Sequence, residues 1–236
     1  MKLVIIQPYF FPYLGYFSLI KHTERFILLD LVQFIKNGWI KRNRILKPGS
    51  GWQYIRVQLI KHSQDTKIKD IKIQNTFDWR NKIFRQLEHY KKRAPFYRDT
   101  IEVLKAAFNI ETESIVQLDA HAIKTVCGYI GVRLNVDIFS EMHLSIGDVK
   151  VPDEWALNIC KALGNVSEYW NPESGLEFFD RSKYYKAGID IKFLSINIPK
   201  YSQRRSEFEA GLSIVDVMMF NMPENINEML DDYLLL

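Results

Sequence analysis

The chain has 236 residues, of which 47% are hydrophobic, 14% aromatic and 25% charged. This composition is typical of a globular protein and excludes disordered and collagen-like chains. No apolar run approaches the roughly 20 residues that a membrane-spanning helix needs, and Gln7-Pro8 ends the apolar start of the chain too early for a signal peptide. We therefore expect a cytoplasmic protein that does not insert into membranes.

Metal and cofactor signatures are missing from the sequence. Cys127 and Cys160 are too few for a disulfide framework and lack the spacing of metal ligands. The five histidines lie far apart and pair with neither cysteine. No P-loop, Rossmann glycine fingerprint or nucleophile elbow occurs. The sequence predicts no metal, no intrinsic cofactor and two cysteines that act as small apolar core residues.

Charge is distributed unevenly along the chain. The formal net charge is only +4, yet residues 36–93 contain 16 Lys and Arg against 4 Asp and Glu. The stretch 36–47 combines five cations with two Asn and Trp39, and it contains no acid. Such a stretch concentrates anionic ligands, although its charges are explained equally well by a solvated basic face. A pI near 8.9 without a nucleic-acid-binding motif favours a small anion.

The first 30 residues predict a βαβ unit. Pro8 and Pro12 restrict the backbone between strand and helix, so the helix begins only after Pro12. A strand, a stiff loop, a helix and a second strand imply a parallel pair with a crossover. The predicted elements are strand Lys2–Ile6, loop Gln7–Tyr13, helix Leu14–His22 and strand Arg25–Leu29, followed by Asp30.

The remaining elements complete an α/β pattern with a largely helical middle. Strands Gln53–Leu59 and Lys67–Ile73 alternate in polarity and are predicted to pair antiparallel. The predicted helices are Trp79–Lys92 with Asp78 as N-cap, Tyr97–Phe108, Thr112–Tyr129, Asp153–Leu163, Ser182–Lys186, Leu212–Asn221 and Glu224–Leu230. The later strands are Asn135–Phe139, Glu168–Trp170 and Ile189–Ile196. We predict a parallel Rossmann-like sheet flanked by helices.

These elements suggest three parts of one compact unit. Residues 1–76 form an α/β nucleotide-binding part with a basic loop, and residues 77–134 form a helical insertion. Residues 135–236 return to the α/β part and end in helices. Ligands of open α/β sheets bind at the carboxyl ends of the strands, so the loops that follow strands are the candidate sites.

The loop after the first strand is the first candidate. Aromatic walls suit a base or a sugar, and the Gln7 amide offers a donor and an acceptor. Gly15 allows a close backbone approach at the start of the helix, where phosphate is favoured. The alternative is that the rings simply pack the core. The aromatic residues are Tyr9, Phe10, Phe11, Tyr13 and Tyr16.

The stretch from Asp30 to Arg44 is the second candidate. Asp30 is predicted either as a general base for an amine or as a partner that holds Arg42 or Arg44. The candidate ligand-binding residues here are Gln33, Lys36, Trp39, Arg42, Asn43 and Arg44. A third candidate is the polar turn at Asn171 and Ser174, directly after a strand, which is equally explained as a simple turn.

Two stretches resemble the WbqC-like protein family: Gln7–Phe17, which reads QPYFFPYLGYF, and Asp30–Ile45, which reads DLVQFIKNGWIKRNRI. Shorter matches follow in order through Asn171-Pro172 and Leu212–Asp216, whereas Leu31 and Lys41 stand where the family pattern has Asp and Asn. A fainter likeness joins Tyr13-Leu14-Gly15-Tyr16 to the H-x-G-H motif of nucleotidylyltransferase-like enzymes such as pantothenate synthetase. Both histidines of that motif are absent, so it suggests a nucleotide-binding architecture only.

The first resemblance implies a role in surface-polysaccharide (O-antigen) biosynthesis. We expect an N-acyl or aminoacyl transferase that forms an amide on the amine of a nucleotide-linked amino sugar. Asp30, Tyr13 and Tyr16 are the expected catalytic residues. The activated donor is an aminoacyl-tRNA, an acyl-CoA, a carrier-protein thioester or an ATP-derived adenylate, so tRNA or a carrier protein is a possible partner. The alternatives are an ATP-dependent amide ligase and a non-catalytic sugar-nucleotide-binding subunit.

Overall fold

A computed structural model describes all residues from 1 to 236. The strands are β1 (Lys2–Ile6), β2 (Arg25–Leu28), β3 (Arg42–Leu46), β4 (Trp52–Arg56), β5 (Val136–Ile138), β6 (Glu168–Pro172), β7 (Asp190–Ile196) and β8 (Tyr233–Leu235). The helices are α1 (Leu14–His22), α2 (Trp79–Leu87), α3 (Tyr97–Phe108), α4 (Ile115–Tyr129), α5 (Glu154–Leu163), α6 (Arg181–Lys186), α7 (Ile214–Phe220) and α8 (Pro223–Met229).

The central sheet confirms the predicted α/β class. Its six strands run in the order β5-β2-β1-β6-β7-β8, and all are parallel except β8, which pairs antiparallel with β7. The chain extends from β1 towards β2 on one side and continues from β6 towards β7 on the other. The strand order therefore reverses between β1 and β6, and the carboxyl ends of these two strands define the switch point of the fold.

Helices cover both faces of the sheet because the strands are apolar on both sides. Val4 packs into a core that includes α1, α4 and α7, while Leu3 and Ile5 point to the opposite face. There they meet residues of α5 and α6. Cys127 and Cys160 are both buried, as predicted. None of the eight helices combines the length and apolarity needed to cross a bilayer.

The predicted antiparallel pairing of residues 53–59 with residues 67–73 is present only at its end, where Leu59 and Ile73 form an antiparallel bridge. Residues 67–73 form only a short 3-10 turn, Ile68–Asp70, and isolated bridges, whereas β4 pairs antiparallel with β3. The strand β3 is not evident from the sequence, because its cationic and amide residues are typical of a loop. The strand alternates, with Asn43 and Ile45 buried and the arginines on the other face. The strand β8 was not predicted at all.

Several helix ends also differ from the prediction. Helix α2 has the predicted cap, since the Asp78 carboxylate accepts a hydrogen bond from the backbone N–H of Asn81, but it ends at Leu87 and continues as a 3-10 turn. Helix α4 begins three residues later than predicted because Ser114, not a residue near Thr112, caps it. Serine oxygens satisfy the first free N–H groups of a helix and so fix its start.

A buried carboxyl holds the β3–β4 hairpin to the helices. Asp216, at the start of α7, accepts hydrogen bonds from the Tyr90 and Tyr201 hydroxyls and from the Gln203 amide. Tyr90 in turn accepts the backbone N–H of Leu46 at 2.8 Å, so the network reaches β3 directly. Burial raises the pKa of Asp216 to about 6, although its three donors oppose the shift.

This raised pKa predicts a pH-dependent contribution to stability. The folded protein binds the Asp216 proton more tightly than the unfolded chain, so the resulting stabilisation is complete below about pH 4 and is lost as the pH rises through about 6. Urea unfolding of wild type and Asp216→Asn at each pH isolates this group. The difference in unfolding free energy should move in favour of the variant by about 2 kcal/mol between pH 4 and pH 7. A difference that is independent of pH contradicts the assignment.

Candidate functional site

The loop after β1 is held in a strained conformation. Phe11 has a φ of 42°, a left-handed value that is costly for a bulky residue, particularly before a proline. Its carbonyl accepts hydrogen bonds from the Asn43 amide at 2.8 Å and the Ser213 hydroxyl at 2.7 Å. Asn43 also donates to the Phe10 carbonyl at 3.2 Å. Strain of this kind persists only where the surroundings hold the backbone in place, and it is concentrated at functional sites.

Three of the five loop aromatics belong to the core. Phe10, Phe11 and Tyr16 are at most 1% exposed, and the Tyr16 hydroxyl donates to the Gln7 carbonyl at 3.0 Å. The packing alternative is therefore correct for these rings. Tyr9 and Tyr13 are only half-buried, and their hydroxyls have no hydrogen-bond partner in the protein. These two phenols are the aromatic groups of the loop that remain able to bind a ligand.

The close approach at Gly15 is made by the protein itself. A Cβ atom at this position would lie 2.6–2.7 Å from the ring and hydroxyl of Tyr13. The expectation that Gly15 makes room for a phosphate is thus not what the structure shows. Glycine is required here because the Tyr13 ring folds over the first turn of α1, and this contact fixes where the phenol lies.

On the other strand of the switch point, the turn after β6 carries the carboxylate of Glu173. The charge of Glu173 helps to raise the pKa of Tyr13, after the larger effect of burial and that of Tyr9. Burial also raises the pKa of Tyr9. Both phenols therefore stay protonated at neutral pH and can donate hydrogen bonds. Glu173 is exposed and accepts a hydrogen bond from the Ser195 hydroxyl of β7.

The predicted turn residues Asn171 and Ser174 have different environments. Asn171 is buried, and its amide donates to the Tyr169 hydroxyl at 2.6 Å. The side-chain Oδ1 of Asn171 lies 2.6 Å from the position that a Cβ atom of Gly175 would occupy, so the turn folds tightly around this side chain. Asn171 therefore shapes the turn, while Ser174 is exposed and free of partners. We call Gln7, Tyr9, Tyr13, Glu173 and Ser174 the switch-point cluster.

Asp30 is engaged in a way that the sequence did not suggest. Its side chain is buried, and its two oxygens accept hydrogen bonds from the Ser140 backbone N–H at 3.0 Å and hydroxyl at 2.6 Å. It pairs with neither Arg42 nor Arg44, contrary to one expectation. The contact joins the ends of β2 and β5 at the edge of the sheet. This geometry indicates a structural role for Asp30 and does not support the prediction that it acts as a general base.

The basic stretch divides into separate environments. Arg42 donates to the Asn37 carbonyl and stacks over Tyr54, its guanidinium 4.2 Å from the ring centre. Arg44 donates to the Gly211 carbonyl at 3.0 Å and lies 5.4 Å from the Trp39 ring centre. The Nε atoms of both arginines are buried without a partner.

The other predicted ligand-binding residues of this stretch are placed differently. Lys36 is exposed, and Gln33 donates to the Gln64 carbonyl at 2.8 Å. Asn43 is buried, and its side-chain amide is hydrogen-bonded to the loop Gln7–Tyr13, which we call the proline-framed loop after Pro8 and Pro12. The stretch therefore contacts the loop through Asn43 and through the backbone of Trp39, whose carbonyl accepts the Phe10 N–H at 3.0 Å.

Sequence reasoning missed Glu173, although it stands between two residues that were singled out. An acid directly after a strand at the switch point was the available signal. It also missed Asp119 of α4, which is fully buried with neither oxygen hydrogen-bonded. Burial raises the pKa of Asp119 well above its usual value, which favours the neutral form of the group. Both cysteine thiols have a pKa raised to about 12 by burial, which suits core packing and not nucleophilic attack.

The loop geometry predicts that Asn43 is a stability residue. Asn43→Ala leaves the Phe10 and Phe11 carbonyls without their amide donor and releases the strained backbone. We expect the unfolding free energy to fall by about 2–3 kcal/mol, measured by urea denaturation. Asn37→Ala is the matched control, because the Asn37 side chain is exposed and unpartnered, and it should change stability little. Equal losses in the two variants would contradict this role.

Comparison with known proteins places the chain among its relatives. The model of the WbqC-like protein family matches residues 7–228. An uncharacterized protein of Mycobacterium tuberculosis, Rv1507c, is 27% identical over 224 residues, which cover 94% of each chain. No solved structure matches the chain significantly. The match spans the proline-framed loop, the hairpin and the switch-point turn, so the chain belongs to the WbqC-like protein family, which is linked to polysaccharide biosynthesis.

Proposed function

We propose that the protein is an N-acyl or aminoacyl transferase that forms an amide on the amine of a nucleotide-linked amino sugar for surface polysaccharide such as O-antigen. The observation that carries the proposal is the switch-point cluster. It combines two protonated phenols, an unpartnered amide and an exposed carboxylate where α/β folds bind their ligands. Phenols and amides suit sugar hydroxyls, and a carboxylate suits an ammonium group.

The proposed chemistry begins with the amine, which is an ammonium ion near neutral pH and must lose a proton before it can attack. Glu173 takes this proton, in place of Asp30, because its carboxylate is exposed in the turn after β6, whereas that of Asp30 is buried. The amine nitrogen then bonds to the donor carbonyl carbon, and the leaving group departs with the bonding electron pair. The second proton of the nitrogen passes to the leaving group or to water, which leaves the amide.

Tyr13 and Tyr9 supply hydrogen-bond donors in this scheme. Because their pKa values are raised, they remain phenols throughout the cycle and stabilise developing negative charge on the donor carbonyl oxygen or hold the sugar. Tyr16 has no such role, since its hydroxyl is buried against Gln7. The folding of the Tyr13 ring over Gly15 fixes the position of its hydroxyl in advance of binding.

The diphosphate of the sugar nucleotide is proposed to lie towards Arg44. This guanidinium donates to one backbone carbonyl and forms no salt bridge, so its positive charge is not neutralised within the protein and attracts an anion. Gly211, its acceptor, lies two residues before Ser213, which holds the proline-framed loop. The donor is supplied from outside as an activated acyl group: an aminoacyl-tRNA, an acyl-CoA, a carrier thioester or an adenylate.

The test is product formation by the purified protein. It is incubated with a dTDP-linked 4-amino sugar and each donor class in turn, and the mass of the sugar nucleotide is followed. A mass gain equal to the acyl group supports the proposal, and release of AMP or ADP during turnover identifies an ATP-dependent ligase instead. Tight binding with no product from any donor shows a non-catalytic sugar-nucleotide-binding subunit and overturns the transferase.

Variants of the switch-point cluster test the assigned roles. Glu173→Gln should lower kcat by about 100-fold or more, as expected for loss of a general base, with little change in sugar-nucleotide affinity. Tyr13→Phe should cost about tenfold, close to the contribution of one hydrogen bond. Glu177→Gln, four residues further along and also exposed, is the matched control and should retain activity. Equal activity of Glu173→Gln and wild type would remove Glu173 from the mechanism.

A further inference from the structure

A basic groove of about 860 Å³ opens beside the hairpin, between residues 33–41 and residues 56–64. Lys36 and Lys41 line one wall, and Arg56 and Lys61 line the other. No acidic residue lines the groove, and none of its four cations forms a salt bridge. Clustered charge of one sign concentrates ligands of the opposite sign.

Lys41 lies among other cations of the groove and hairpin. Its ammonium lies 5.9 Å from the centre of the Phe34 ring. Burial lowers the pKa of Lys41, and Arg42, Arg56 and Lys36 lower it further. A bound anion would offset the repulsion among these four groups.

The groove also offers groups that suit nucleobases. Gln58 and Gln64 extend amides that have no side-chain partner in the protein, and amides read the edges of bases. Ile35 and Ile60 are exposed at the groove, 56% and 40% respectively, and present apolar surface to an unpaired ring. An inorganic anion would use the cations but neither the amides nor the apolar side chains.

Positive charge continues from the groove along the hairpin. Two guanidinium groups lie near the Tyr54 ring, with Arg42 at 4.2 Å and Arg56 at 5.8 Å from its centre. A second cavity, of about 670 Å³, lies at the hairpin turn formed by Pro48 and Gly49. It is lined by His89, Lys91, Lys92 and Arg93 against one acid, Glu88. The five-residue strands between the two cavities span about 17 Å, which is longer than one diphosphate.

We propose that the basic groove and the hairpin bind single-stranded nucleic acid, with phosphates on the groove cations and unpaired bases against the amides and apolar side chains. Cations spaced along an elongated surface with interleaved aromatic and apolar groups are the arrangement that binds single strands. The site is distinct from the switch-point cluster. Binding is measured without turnover, so this proposal and the proposed function can fail separately.

The experiment uses fluorescence anisotropy of labelled single-stranded RNA and DNA of about 12 nucleotides. We expect the affinity to fall as the salt concentration rises. Comparison of the RNA with the DNA shows whether ribose or deoxyribose is preferred. Lys36→Glu with Lys61→Glu, both at exposed positions, should weaken binding at least tenfold. The slope of log affinity against log salt should fall by about 1.4, near 0.7 for each lost phosphate contact.

A matched pair of reversals separates the groove from net charge. Lys161→Glu with Lys186→Glu changes the charge equally on exposed positions of α5 and α6, and it should leave the affinity within twofold. The proposal is overturned by equal losses in the two double variants, by no binding at low salt, or by a mononucleotide or duplex that binds as tightly as the strand. Circular dichroism of each variant confirms that the fold is intact.

Discussion

The side-chain amide of Asn43 is the contact on which the candidate site depends. It donates to two successive loop carbonyls from a strand whose neighbouring residues are arginines. These bonds, with that of Ser213, hold Phe11 in a left-handed conformation that a free chain would avoid. The residues that follow place the Tyr13 ring over Gly15. A buried amide in the hairpin thus sets the position of a phenol at the edge of the sheet.

The two faces of the β3–β4 hairpin therefore have different roles. Its buried side, with Asn43 and Ile45, supports the proline-framed loop and is tied to α7 through Tyr90 and Asp216. Its outer side carries arginines and aromatic rings next to a groove without counter-charges. Strand geometry produces this division, because successive side chains point to opposite faces. The basic character of the segment and its structural role belong to different residues of the same strand.

The sequence was sufficient for the βαβ unit, the helical middle and the α/β class, because proline positions and apolar periodicity are local signals. It was insufficient for β3, because a short stretch of arginines alternating with other residues is typical of a loop unless its pairing with β4 is known. The candidate residues were affected in the same way. Tyr13 and Ser174 stay accessible, whereas Asp30, Asn43 and Asn171 use their polar groups inside the protein. Which polar side chains are satisfied internally depends on contacts between residues far apart in the chain, and no local pattern reveals these.

A crystal structure of the protein with a nucleotide-linked amino sugar would show directly where the ligand binds. We expect the sugar to lie against Tyr9 and Tyr13, with its amine within hydrogen-bond distance of the Glu173 carboxylate and its diphosphate towards Arg44. A sugar nucleotide bound at another edge of the sheet, or one that leaves Glu173 facing solvent, would show that the proline-framed loop and the turn after β6 do not form one site.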